Sequence, residues 1–231
     1  MTGRSPATPG GTESRAASAP GPEARRHAPA TARNRAAIAE ALQDWLPGKG
    51  SLLELASGTG GHALYLSARL PSIDWLPSEP DPALCRSIEA YRLSDGGANL
   101  SAPLAVDVTA ADWRLPETAL PLAAMVCINM IHIAPWAAAE GLFAGAARYL
   151  APGGGLFLYG PFKRGGAHTA PSNAAFDESL RARDPAWGVR DLEAVSDLAR
   201  RAGLAPPLIR EMPANNLSLW FARDADPKDG Q

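Results

Sequence analysis

The sequence predicts an α/β fold built on a mostly parallel sheet, and two stretches carry that expectation. Ser51 to His62 reads S-L-L-E-L-A-S-G-T-G-G-H, with leucine at Leu52, Leu53 and Leu55 before the run breaks into glycine. A short continuous apolar run marks a strand buried on both faces, as a parallel sheet requires. Gly58, Gly60 and Gly61 can take a positive φ and bring backbone N–H groups close to a ligand, and His62 to Leu70 continues as a helix. The second stretch is Leu122 to Ile128, L-A-A-M-V-C-I, the most continuous apolar run after the first and suited to a central strand.

The remaining elements follow in chain order. Met1 to about Pro22 is Ala, Pro, Gly, Ser and Thr with scattered charges, so residues 1–24 and 224–231 are expected as disordered tails around one domain, 25–223. Ile38, Leu42, Trp45 and Leu46 then share one helical face, which Pro47 and Gly48 end. After the glycine loop, Ser72 to Ser78 reads as strand two and stops at Glu79. An acid there, 19 residues past Gly60, sits where nucleotide folds hold a ribose. Asp81, between two prolines, is expected to cap the helix Ala83 to Arg92. Ala102 to Val106 reads as a third strand ending at Asp107, whose alternative role is a turn or cap.

Leu122 to Ile128 leads into Asn129-Met130-Ile131-His132-Ile133-Ala134-Pro135-Trp136. Ligands of doubly wound sheets bind beyond the carboxyl ends of the strands, so Asn129 and His132 are candidates to face the site. A helix over Ala137 to Leu150, a Pro-Gly-Gly-Gly stop and a strand over Leu156 to Tyr159 come next. Gly160 to Asn173 reads as a long irregular connection, a length usually kept for function. Leu192 to Ala202 is a helix closed by Gly203, and Pro207 to Met212 and Leu217 to Phe221 are two strands joined through Pro213-Ala214-Asn215-Asn216.

Composition narrows the function classes. A net charge of −2 leaves no excess of Lys and Arg to replace the counterions of a nucleic acid. Cys85 and Cys127 belong to no C-x-x-C pair, so neither a disulfide framework nor a metal site is expected. No apolar stretch approaches the roughly 20 residues of a membrane helix, and residues 1–30 lack the apolar block of a signal peptide. A cytoplasmic protein with a small-molecule substrate is expected; the oligomeric state is left open.

Gly58, Gly60 and Ala63 also nearly meet the dinucleotide spacing G-x-G-x-x-G/A. Glu54 argues for another ligand, because a carboxylate inside an apolar strand calls for a cationic or hydrogen-bonding partner. E-L-A-S-G-T-G resembles the E/D-x-G-x-G-x-G motif of class I S-adenosylmethionine (SAM) methyltransferases, with Ala56 in place of the first glycine. The resemblance implies a Rossmann-like seven-stranded sheet, mostly parallel with a C-terminal antiparallel hairpin and helices on both faces. It implies Glu54 near the amino-acid end of SAM, Ala56, Gly58 and Gly60 under it, Glu79 on the ribose, Asp107 and Val108 at the adenine, and Asn129 nearby.

A narrower resemblance covers about Arg26 to Phe221. R-x-x-A-P-A-T-A-R-N-R, N-M-I-H-I-A-P-W, Y-G-P-F-K-R-G-G-A-H-T-A-P-S-N-A-A-F-D, W-G-V-R-D and M-P-A-N-N resemble the uncharacterised methyltransferase-like protein 26 family. It implies lid segments over 25–36 and 160–191. His132 and His168 are then the expected catalytic groups. Arg33, Asn34, Trp136, Tyr159, Phe162, Lys163, Asn173, Phe176, Arg181, Trp187 and Arg190 are the expected acceptor-site residues. The cations among them suggest a small anionic acceptor, with S-adenosylhomocysteine as the second product; the alternative for Arg181 and Arg190 is pairing with Asp177, Asp184 or Asp191 to order the lid. The alternatives are a nicotinamide-dependent oxidoreductase and a non-catalytic SAM-binding partner protein.

Overall fold

The computed structural model of the chain describes residues 19–225, so most of the two expected tails lies outside the described residues. Its main sheet contains β1 (Gly50–Leu55), β2 (Ile73–Pro77), β3 (Leu122–Ile128), β4 (Leu150–Gly160), β8 (Leu208–Met212) and β9 (Asn216–Ala222). Their order is β2-β1-β3-β4-β9-β8. The first four run parallel, β9 is antiparallel to β4, and β8 is antiparallel to β9.

The seventh position is filled by the expected third strand in reduced form. Leu100 bridges Trp75 and Leu104 bridges Ser78, both in parallel sense, at the free edge of β2. Pro77 and Pro103 have no N–H to give a ladder here, so two bridges replace a strand. What survives is directed well: Leu104 N donates to Pro77 O, and Glu79 N donates to Leu104 O, each at 2.9 Å. Glu79 is thereby fixed at the sheet's carboxyl edge.

Strand side chains alternate between two apolar layers. Leu52, Ala124, Val126, Phe157 and Trp220 pack on Ile38 and Leu42 of α1 (Pro29–Trp45) and Leu66 of α2 (Gly61–Arg69). Leu53, Leu55, Met125, Cys127, Leu156 and Leu158 face the other way, onto Leu142 and Phe143 of α4 (Trp136–Tyr149) and Val195 of α6 (Leu192–Arg201). Helix α3 (Pro82–Asp95) follows β2, and Asp81 accepts from Ala83 N at 2.7 Å as its expected cap.

The connection after β4 differs from the expected irregular one. Phe162–Arg164 (β5) and Ala167–His168 (β6) form a hairpin closed by Gly165 and Gly166, both at positive φ as a tight two-residue turn demands. Pro171 then opens α5 (Pro171–Arg183), and Arg190–Asp191 (β7) pairs with β5 to complete a second, three-stranded sheet. Residues 160–191 are therefore regular structure standing at the carboxyl end of β4.

On α4, Gly141 and Gly145 lie one turn apart and make a groove for the chain after Asp107. A Cβ on Gly141 would collide with the carbonyl of Val108, and one on Gly145 with the Trp113 ring. Alanine would favour the helix by about 1 kcal/mol, but overpacking costs about 1–3 kcal/mol. Gly145→Ala should therefore lower the melting temperature; a rise would show that the ring does not need that groove.

Candidate functional site

The carboxyl edge of the sheet holds the chain in sparsely populated conformations. Ala56 (φ 52) follows β1, Asn129 (φ 62) follows β3, and Ala214 and Asn215 (both φ 58) sit between β8 and β9. Left-handed non-glycine residues cost on the order of 1–3 kcal/mol each and cluster at ligand sites. Ala56 shows that the position where the methyltransferase motif has glycine keeps glycine's conformation here without glycine.

The glycine loop is tied to the end of β2. Ser57 N donates to Ser78 O at 2.8 Å, and Gly58 N donates to Glu79 Oε2 at 2.9 Å. The two positive-φ glycines have different duties. A Cβ on Gly60 (φ 91) would come 2.9 Å from Ile88 Cα, so α3 fills its space; Gly58 (φ 57) has nothing within 4 Å of that position. Gly58 is thus the glycine whose open face can meet a ligand. Glu79 is buried, which pushes its pKa up against the hydrogen bonds from Gly58 and Asp81.

Glu54 is 1 % exposed. The partner it was expected to need is partly supplied by the protein: Trp75 Nε1–H donates to Oε2 at 2.9 Å. Burial still pushes its pKa up to about 7, with Trp75 and Ser57 pulling the other way and Glu79 adding to the rise. Asp107 is exposed and its Oδ1 accepts from Thr109 N and Oγ1 at 2.9 and 2.7 Å, which hold its pKa down. Its turn role is therefore present, at the same sheet edge, beside half-buried Val108.

The glycine-loop residues Thr59 and Gly61 line a cavity with His27, Tyr65 and Tyr91. A different cleft, of about 580 Å³, lies beyond the carboxyl ends of β3 and β4. Arg33 and Asn34 of α1, Asn129 and Tyr159 at the ends of β3 and β4, and Asn173 and Phe176 of α5 all line it. These six expected residues are joined by the Pro213–Asn216 turn, Pro161 and Ser172, which lie in the resemblance motifs and were not singled out as acceptor-site residues. Asn173 Nδ2 donates to Asn215 O at 2.9 Å and Asn215 Nδ2 to Ser172 Oγ at 3.1 Å, so α5 and the turn are sewn together. His62 was also missed. Its Nε2 is 2.8 Å from Asn34 Oδ1, linking α1 to the first turn of α2.

The remaining expected acceptor-site residues do not line this cleft. Asp177, 6 % exposed, gathers Lys163 Nζ at 3.1 Å, Arg181 Nε at 3.2 Å and His168 Nε2 at 3.3 Å, and accepts from Val189 N at 2.7 Å. Burial works to raise its pKa, but Val189, Lys163 and Arg181 outweigh it and hold the carboxyl below its ordinary value. Arg190 donates to Ile131 O at 2.8 Å and Ala134 O at 2.6 Å and lies 5.6 Å from the Trp136 ring centre; Arg183 lies 4.8 Å from that of Trp187. Phe162 is buried, edge-on to His132 at 5.1 Å.

His132 is 0 % exposed, and burial with the charge of Arg190 pushes its pKa down to about 3. Its Nδ1 lies 3.4 Å from Arg190 N, and the other ring nitrogen is Nε2. That Nε2 is buried without a partner and faces the backbone at Gly160. No group of three or more His, Cys, Asp or Glu that could hold a metal occurs among the described residues, and no described helix is long and apolar enough to cross a membrane.

A family model described as "Protein of unknown function (DUF938)" matches residues 25–223, and the chain belongs to that family. Solved structures with the same fold include a putative O-methyltransferase from Nostoc punctiforme (TM-score 0.70, 15 % identity, covering 83 % of this chain and 56 % of that one). An O-methyltransferase family protein from Burkholderia thailandensis gives 0.67 at 15 % identity, over 83 % and 58 %. Human N-acetylserotonin methyltransferase, solved in complex with SAM, gives 0.61 at 14 %, over 83 % and 55 %. The chain thus spans little more than half the length of each.

The Glu54 geometry sets a pH dependence. The folded state keeps this proton up to about pH 7, whereas the reference value is 4.5. The group's stabilising contribution is therefore complete below 4.5 and is lost as pH rises through 7, at up to about 1.4 kcal/mol per pH unit. Glu54→Gln should remove that loss, so its melting temperature relative to the parent should climb between pH 5 and pH 8. A pH-independent difference would mean that Glu54 is ionised in the fold throughout.

Proposed function

We propose that this DUF938 member is a class I SAM-dependent methyltransferase acting on a small molecule. The observation that carries the proposal is the Gly58 N–H to Glu79 contact, an acid closing β2 beside a glycine with an open face. Such a carboxylate can accept both hydroxyls of a ribose. Three further features support a fit for SAM: the methyltransferase fold of the neighbours, the exposed Asp107 beside Val108, and Asn129 at the end of β3, which lines the cleft. The antiparallel β8–β9 edge favours this over the nicotinamide alternative, whose doubly wound sheets are mostly parallel.

On this proposal Gly58 and Glu79 hold the ribose end, Asp107 and Val108 the adenine, and Asn129 with Glu54 the amino-acid end. SAM, when bound, supplies a sulfonium methyl for in-line transfer. The chain's own contribution is to align the acceptor and keep water out, the source of most of the acceleration in such transfers. Arg33, Asn34, Tyr159, Asn173 and Phe176 form the acceptor cleft. His132 and His168 support it from behind: the first pins Arg190 N, the second shares Asp177. Three of the five motifs that resemble methyltransferase-like protein 26 run through 25–36 and 160–191, segments that act as the cover over both ligands.

Calorimetry with SAM, S-adenosylhomocysteine and NAD tests the proposal. SAM and S-adenosylhomocysteine should bind and NAD should not. Glu79→Ala should weaken SAM about 5- to 150-fold, the equivalent of about 1–3 kcal/mol for unpaired buried hydroxyls. NAD binding, or SAM affinity unchanged in the variant, would overturn it.

A further inference from the structure

We infer that the cleft takes an acceptor that arrives as a carboxylate, held by Arg33 and the Tyr159 hydroxyl, and methylates it without a protein base. This rests on the methyltransferase reading above and names the substrate class of the same site. The argument follows the direction of each hydrogen bond.

Asn34 Oδ1 lies 2.8 Å from His62 Nε2. An amide oxygen only accepts, so the His62 ring must offer N–H at that atom. Burial and the charge of Arg35 push His62 down to about 4, so one neutral tautomer serves. With its oxygen committed, Asn34 has its amide hydrogens left to offer, and it lines the cleft together with Tyr159. The Tyr159 hydroxyl carries a proton that it can donate there. Burial raises its pKa, and it stays protonated at neutral pH.

Arg33 adds a fixed cation to the same wall and has no carboxylate partner among the described residues. None of the described residues lining the cleft is a carboxylate or an imidazole. His132, the imidazole expected to act as base, is fully buried and is not among the residues that line the cleft. A lining with a cation and no base cannot activate an alcohol or an ammonium, which must lose a proton on attack. A carboxylic acid ionises by itself near pH 4 and meets Arg33 as a matched anion.

The chemistry balances without a proton. An electron pair of the acceptor oxygen forms the new O–C bond as the S–C bond breaks, and that bond's pair stays on sulfur. The carboxylate becomes a methyl ester and the sulfonium a thioether, so both charges disappear. Discharge of opposite charges is favoured in a water-poor cleft, and exposed Phe176 supplies a flat apolar wall for the rest of the acceptor.

Benzoate and benzamide, matched in shape and different in charge, are the probes. Calorimetry at pH 7 should show benzoate binding at least about tenfold tighter than benzamide. Tyr159→Phe and Arg33→Gln should each erase most of that preference. Asn34→Asp, which replaces the donor amide with a carboxylate, should reverse it. Equal affinities, or no binding of either at about 10 mM, would overturn the inference. SAM titration of the same protein keeps the two claims apart: loss of SAM binding with the benzoate preference intact removes the methyltransferase reading and leaves an anion-binding cleft.

Discussion

The Gly58 N–H to Glu79 hydrogen bond is the constraint on which the candidate site depends. It draws a strained loop at the end of β1 onto the end of β2, and Glu79 is itself held by Leu104 from the edge segment beyond β2. Three sheet positions therefore set one carboxylate. Behind it, Glu54 is buried against Trp75, and the charge of Glu79 adds to the rise that burial gives its pKa.

Charge at the other end of the site is arranged in the opposite manner. Lys163, Arg181 and His168 surround one buried carboxylate, Asp177, and Arg164 pairs with Glu211 at 2.7 Å. Removing a partner from buried Asp177 is far more costly than the pair is favourable, so Lys163 and Arg181 are committed to it, and Lys163 holds α5 against the small sheet. Arg190 is committed as firmly, to carbonyls of the turn after β3. Only Arg33 of the expected cations is left facing the cleft without an acid, and the electrostatic character of the acceptor site falls to it and to hydrogen-bond donors.

Much of this was legible in the residues. The buried first strand, its glycines and the acid at Glu79 announced themselves because burial on two faces leaves only apolar residues and one purposeful charge. Asn34, Asn129, Tyr159, Asn173 and Phe176 were expected at the cleft and line it. Helix α5 was invisible because its buried face is Asn173, Asp177 and Leu180, two polar residues and one apolar, which makes no stripe. The hairpin before it did leave a signal, Gly165-Gly166, that was read as looseness rather than as a turn. The Arg181–Asp177 pair, four residues apart on one helix, was open to a sequence reading and is present, whereas Lys163 meets Asp177 only once β5 and α5 are folded together. His132 illustrates the same limit: its position after β3 suggested chemistry, while its ring packs on Phe162 inside the core.

The most direct measurement is a crystal structure with S-adenosylhomocysteine. The account predicts both ribose hydroxyls on Glu79, the nucleoside along Asp107 and Val108, and the sulfur directed at Asn129 and Tyr159. Ligand bound instead in the separate cavity between His27, Tyr65 and Tyr91, with Glu79 untouched, would contradict it.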